Sequence, residues 1–319
     1  MHVQEWGAGD PVIALHPLAL ESTAFAGVAK TLAQRGLRTL AADLPGFGQT
    51  PMNADRLTPA NLAAPVIELA RSLETPPVIL GMSMGGRVAI EAVLTAPESF
   101  RAAVLLAPYL PWRRRRWRLS LASRINPESA ERLPLERAWP LLKRVAERME
   151  AVPRFEHDWL ARACVRFVYY SSCSATRVAF LSAARELALD PAFGRQGLWT
   201  RLGRIAVPAH FTWAGRDSLI PKEHARHVSE TLRQSRHIEV PCAGHFVNGE
   251  HYGCMEHAIA ISVDHAIARA NDEGWRRRRP RVRHSLAPCL VADGRSRASA
   301  PEMQKLPRGL RLRTSGGET

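Results

Sequence analysis

Short, continuously apolar runs recur along this chain at spacings that leave room for helices between them, and this alternation constrains the fold more than any other feature. The runs are Pro11 to His16, Leu37 to Asp43, Pro77 to Met82, Ala102 to Ala107, Ala209 to Ala214 and His237 to Val240. A strand covered on one face alternates apolar and polar residues, whereas a run apolar throughout is covered on both. Helices fit the gaps. Thr23 to Arg35 closes on Gly36, in the usual place for a C-terminal glycine. Another starts after Thr58 and Pro59, with Thr58 as the cap and Pro59 in the first turn. Its residues Leu62, Val66, Leu69, Ala70 and Leu73 share one face, and Met255, Ile259, Val263, Ala266, Ile267 and Ala270 mark a last helix. The expected fold class is α/β: a mostly parallel sheet with helices on both faces.

Between Leu110 and Gly203 the alternation stops and only helical periodicity remains. Trp139, Leu142, Val145 and Met149 are spaced for one helix, Leu160, Ala163, Cys164 and Phe167 for another, and Ser174 is placed to cap a third running to Leu189. The expected organisation is a core over residues 1–109 and 204–272, a helical insertion at 110–203 and a basic extension at 273–319. No internal repeat is visible. Five of the eight tryptophans (112, 117, 139, 159 and 199) fall in the insertion, which favours an apolar pocket for a small-molecule substrate with an acyl or aromatic part.

The formal charge of +14 looks at first like the mark of an acidic partner. Its distribution argues otherwise. From Gly274 onward twelve cations stand against three acids, so +9 of the total lies in the last 46 residues. That segment mixes Arg, Pro, Gly and Ser without an apolar face, reads as disordered, and offers at most salt-sensitive attraction to nucleic acid rather than specific recognition. The five cysteines form no C-x-x-C pair, so neither a disulfide framework nor a thiolate metal site is indicated and a reduced cytoplasmic setting is expected. No run approaches a membrane span, and the first ten residues lack the pattern of a secretion signal.

The chemistry concentrates at Gly81-Met82-Ser83-Met84-Gly85-Gly86, a G-x-S-x-G pattern between a strand and a helix-like stretch. A sharp strand-to-helix turn lifts a serine clear of the sheet, and the helix start offers amides to a developing oxyanion. A serine hydroxyl is a weak nucleophile at neutral pH. It needs an imidazole to take its proton and a carboxylate to orient that imidazole. Downstream, Gly215-Arg216-Asp217 ends one strand candidate and Pro241-Cys242-Ala243-Gly244-His245 follows the next, so a carboxylate and an imidazole both fall beyond carboxyl ends of strands.

With these residues in the order Ser, Asp, His, the chain resembles α/β-hydrolase fold enzymes that carry a cap domain. The resemblance spans about Val3 to Asn271 and includes G-M-S-M-G-G, A-G-R-D-S-L-I-P and A-G-H-F. It also includes the Asp43-Leu44-Pro45-Gly46-Phe47-Gly48 loop and Leu15-His16-Pro17-Leu18. It implies Ser83 as nucleophile, His245 as general base and acid, and Asp217 as the group orienting His245. The implied oxyanion donors are the amides of Leu18 and Met84, with no cofactor. The implied reaction is hydrolysis of an ester or similar carbonyl compound of small size. A C–C bond hydrolase, a thioesterase and a cofactor-free perhydrolase use the same residues. A non-catalytic binding protein is the alternative of another class. Pro17 stands where the family has glycine, and no strand is assigned ahead of Trp6-Gly7, which leaves a sheet edge expected to be open.

Other candidates have plainer readings. Asp43 is expected to order its own loop, His16 to tie down the oxyanion loop, and Asp158 and Asp190 to lie on the surface. His224 with His227, and Cys254 with His257, share helix faces but lack further ligands for a metal, so packed or solvated side chains are expected. Trp112 and Trp117 with Arg113, Arg114, Arg115, Arg116 and Arg118 read as an anchored, solvated helix face.

Overall fold

The computed structural model describes residues 1–52, 54–112, 122–132, 135–150, 165, 168, 173–221, 223–245 and 252–272. The extension after residue 272, the arginine run at 113–118, Asp158 and most of the helix expected around Leu160 lie outside them.

Seven strands form one sheet: β1 (Val3–Trp6), β2 (Asp10–Leu15), β3 (Leu37–Ala42), β4 (Val78–Met82), β5 (Ala102–Leu106), β6 (Ala209–Ala214) and β7 (Arg236–Val240). Their spatial order is β1-β3-β2-β4-β5-β6-β7, with every neighbouring pair parallel except β1 against β3. The helices are α1 (Ala26–Ala33), α2 (Pro59–Arg71), α3 (Met84–Thr95), α4 (Leu135–Glu150), α5 (Ser174–Leu189), α6 (Leu198–Leu202), α7 (Glu223–Thr231) and α8 (Tyr252–Asn271).

Each apolar strand divides its side chains between two cores. In β4, Val78, Leu80 and Met82 join one cluster and Ile79 the other; in β5, Ala102, Val104 and Leu106 oppose Ala103 and Leu105. Successive side chains of a strand point to opposite faces, so an unbroken apolar run serves both. On one face the partners are Val28 and Leu32 of α1 with Ala258, Ile259 and Val263 of α8. On the other, Leu62 and Val66 of α2 pack with Val88 and Ile90 of α3. The fold is therefore α/β with helices on both faces, as the alternation implies.

Three local expectations change. First, Val3–Trp6 is a strand, with Val3 opposite Ala42 and Trp6 opposite Thr39. It escapes the apolar pattern because it is half polar, which an antiparallel edge strand with an accessible face tolerates. Second, Thr23 to Arg35 is not one helix: a 3-10 turn at Ser22–Phe25 precedes α1. Third, Ser174 is the first residue of α5 rather than its cap; Cys173 holds the cap position and makes no side-chain capping bond. The Thr58 cap on α2 does form, its hydroxyl accepting from the Asn61 amide at 3.1 Å.

Strand order positions the site. The chain runs outward from β2 to β3 on one side and resumes through β4 on the other, so the exits of β2 and β4 diverge side by side, with Leu15 opposite Gly81. Open α/β sheets leave a crevice at such a reversal. Among the described residues no helix is long and apolar enough to cross a membrane.

Candidate active site

Ser83 sits at the reversal point, between β4 and α3, with φ +50° and ψ −112°. Such backbone costs on the order of 1–3 kcal/mol for a non-glycine residue and persists only when its surroundings enforce it. Here they do. The Ser83 amide donates to the Leu106 carbonyl at 3.0 Å, while its own carbonyl accepts from Arg87 at 3.0 Å and Tyr109 at 2.8 Å. The flanking glycines leave space for the turn. A Cβ on Gly81 would stand 2.4 Å from the Gly85 carbonyl oxygen, and one on Gly85 2.1 Å from that of Leu15.

Asp217 lies just past β6, and its Oδ1 accepts from the amides of Leu219 and Ile220, both at 2.8 Å. The exits of β6 and β7 are laced together: Gly215 donates to Val240 and Arg216 to Ala243, each at 2.9 Å. This lacing brings His245 to the carboxylate. His245 Nδ1 is 2.8 Å from Asp217 Oδ2, and its Nε2 is 2.9 Å from Ser83 Oγ. Both the imidazole and the carboxylate are buried. A carboxylate only accepts, so Nδ1 carries the proton and Nε2 is free to accept from the serine hydroxyl.

The loop after β2 is held by His16. Its Nε2 accepts from the Leu44 amide at 3.0 Å, which leaves Nδ1 protonated to donate to the Pro17 carbonyl at 2.9 Å. Burial pushes the His16 pKa down, in keeping with a neutral ring making one bond of each kind. The Pro17 carbonyl also accepts from Leu20 at 3.2 Å, closing a turn around Leu18. Asp43 orders its loop by accepting from Ser22 at 2.7 Å and Gln49 at 2.9 Å, and it takes a third bond from His2 at 2.9 Å. Burial alone would raise its pKa, but these donors hold it below the usual carboxylate range.

Asp190 is not a surface residue. Its carboxylate is buried and paired with Arg87, whose guanidinium also reaches Glu91 at 2.9 Å; Arg201 holds the other side of Glu91 at 2.5 Å. Burial would disfavour charge on Glu91, yet Arg201 and Arg87 keep its pKa low. The four-residue spacing of Arg87 and Glu91 on a helix is visible in sequence. Nothing local marks Asp190 as their partner, and nothing local marks His2 as a partner of Asp43. His224 is buried against Trp112 and Trp199, with ring centroids 5.2 and 5.7 Å away. Neither of its nitrogens has a hydrogen-bond partner, and burial with His227 nearby lowers its pKa to about 4. Among the described residues no group of three or more His, Cys, Asp or Glu is placed to hold a metal.

A parallel α/β sheet with a strained serine at its reversal point, hydrogen-bonded to a histidine that is hydrogen-bonded to a buried aspartate, defines the class of α/β hydrolases. Residues 10–252 match the family model described as alpha/beta hydrolase fold, and the chain belongs to that family. Among curated proteins it is similar to a pimeloyl-[acyl-carrier protein] methyl ester esterase of Chromobacterium violaceum, 26% identical over 261 residues, which cover 77% of this chain and 91% of that protein. Among solved structures it resembles a thermophilic esterase from Thermogutta terrifontis, with a TM-score of 0.65 and 20% identity over 83% of this chain and 93% of that one. An enol-lactonase from Burkholderia xenovorans LB400 aligns with a TM-score of 0.60 and 18% identity, over 82% of this chain and 96% of the other.

Proposed function

We propose that this protein is a serine hydrolase that cleaves a carboxylic ester through an acyl-enzyme on Ser83. One observation carries the reading: the unbroken hydrogen-bond chain from Ser83 Oγ through His245 to Asp217, at 2.9 and 2.8 Å. His245 Nε2 takes the hydroxyl proton as Ser83 attacks the carbonyl. The amides of Leu18 and Met84 hold the oxyanion, Met84 offering the first amide of α3 where the positive end of the helix dipole adds to it. His245 then hands its proton to the departing alkoxide and activates water for deacylation, while Asp217 fixes its tautomer throughout.

The choice of an ester is supported by the names of the Chromobacterium and Thermogutta proteins. The helical segment 110–203 acts as a cap. It leaves after β5 and returns before β6, at the end of the sheet where the three side chains converge. It is anchored there by Tyr109, whose hydroxyl donates to the Leu187 carbonyl at 2.7 Å, and its two ends are joined by Trp199, whose indole donates to the Pro111 carbonyl at 2.7 Å. Its tryptophans favour substrates with an apolar acyl or aromatic part. The free thiols of Cys173 and Cys242 suit a reduced, cytoplasmic setting.

The test is hydrolysis of a p-nitrophenyl ester series of graded acyl length, combined with fluorophosphonate labelling. The wild type turns over the esters and is labelled once. Ser83→Ala abolishes both signals while remaining folded. A folded wild type that is neither active nor labelled refutes the proposal.

A further inference from the structure

We propose that this protein has a second ligand site, a basic cavity that takes a small organic phosphate by its dianionic phosphoryl group. The cavity, of about 650 Å³, lies beside α3, between the start of α2 and the segment from Asp190 to Arg204. None of Ser83, Asp217 or His245 lines it. It is large enough to hold an organic body many times the size of a phosphate ion.

Charge selects the ligand. Four arginines line the cavity, Arg87, Arg195, Arg201 and Arg204, against two carboxylates, Glu91 and Asp190. The carboxylates are already committed. Asp190 accepts from Arg87 at 2.6 and 3.2 Å; Glu91 accepts from Arg87 at 2.9 Å and from Arg201 at 2.5 and 3.2 Å. Arg195 and Arg204 are exposed, and among the described residues neither guanidinium has a carboxylate within ion-pair range. The surplus is therefore two positive charges on two unpaired planar donors, the complement of a dianion with several oxygens.

The start of α2 adds a donor on the same wall. Pro59 has no amide proton, Asn61 donates to the Thr58 hydroxyl, and Leu62 donates to the Thr58 carbonyl. Of the first-turn amides this leaves Ala60, itself a lining residue, at the positive end of a thirteen-residue helix. A phosphoryl group bound here would bridge α2, α3 and the return from the helical insertion, and so raise the melting temperature of the whole protein.

Calorimetric titration of the full chain at low ionic strength with inorganic phosphate, phenyl phosphate and succinate tests this, with thermal melting alongside. Saturable binding of both phosphates is expected, phenyl phosphate binding more tightly and succinate at least about tenfold more weakly than either. Arg195→Ala with Arg204→Ala is expected to cut phosphate affinity about tenfold or more and to abolish the melting shift, with ester hydrolysis and unliganded stability unchanged. Ser83→Ala is expected to bind phosphate as the wild type does. Undiminished binding to the double arginine variant, loss of binding in Ser83→Ala, equal binding of succinate, or no saturable binding of phosphate overturns the proposal.

Discussion

Arg87 and Asp190, 103 residues apart, meet through two hydrogen bonds with both side chains almost fully buried. Arg87 lies one helical turn beyond Ser83, and Asp190 is the C-cap of α5, so the pair ties the turn bearing the serine to the end of α5. Burial would weaken charge on the guanidinium, but Asp190 and Glu91 more than offset it and raise its pKa.

Breaking that pair has a large expected cost. Asp190→Ala leaves a buried guanidinium with only Glu91, and a broken buried ion pair costs about 3–5 kcal/mol. Urea denaturation is expected to show a loss near the lower end of that range, because Glu91 remains. Replacing both partners, as in Arg87→Met with Asp190→Leu, is expected to recover at least half of it. A double variant as unstable as Asp190→Ala would show that packing rather than uncompensated charge sets the cost.

Two glycine substitutions separate backbone conformation from close approach. Gly36 has φ +73° with open space around its Cβ position, so Gly36→Ala is expected to cost about 1 kcal/mol, the price of the left-handed conformation alone. Gly85 has backbone atoms of Leu15 and His16 within 2.7 Å of that position. Backbone cannot yield as a flexible side chain does, so Gly85→Ala is expected to displace Ser83 and lose several times more stability in the same denaturation experiment.

Asp217 is expected to act on rate rather than binding. Asp217→Asn preserves shape but can leave the His245 proton on the wrong nitrogen, an effect of about 10⁴-fold on kcat in serine hydrolases of known mechanism. Steady-state kinetics on the best p-nitrophenyl ester is expected to show kcat falling by about that factor with KM changed less than threefold or so. A drop confined to KM would place Asp217 in substrate binding instead.

Acid is expected to destabilise the fold through buried histidines. His210 is buried, and that burial together with Arg269, His265, Arg236 and His237 lowers its pKa to about 3; His224, facing His227, Glu223 and Asp217, falls to about 4. Both are lowered from 6.5, so the unfolded chain binds more protons between the folded and unfolded pKa values. Their contribution is complete above about pH 6.5 and declines as pH falls toward 4 for His224 and 3 for His210, by up to about 1.4 kcal/mol per pH unit for each. Chemical denaturation between pH 7 and 4 is expected to show this slope, reduced by up to that amount in His224→Phe. An unchanged slope in the variant would show that His224 titrates normally.

Much of the fold was legible because its determinants are local. A run such as Val78 to Leu80 is apolar at every position, which only a strand covered on both faces requires, and the Thr58-Pro59 start of α2 is written in adjacent residues. The G-x-S-x-G turn is local in the same sense, since the space at Gly81 and Gly85 is demanded by residues that follow directly. Val3–Trp6 was not legible because a half-polar edge strand has no pattern of its own and exists only through pairing with β3.

Ser83, Asp217 and His245 could be singled out from motif and order, but their separation could not: hydrogen bonds at 2.9 and 2.8 Å depend on strand order and on the lacing of the β6 and β7 exits. The same holds for Asp190 and Arg87, and for His2 and Asp43. By itself the sequence determined which segments bury two faces, which turn bears the serine and where the excess charge lies. Only the tertiary structure decided which charges are buried together, because apolar periodicity is a property of neighbours along the chain, whereas an ion pair or a hydrogen bond is settled by which distant groups lose their water in the same place.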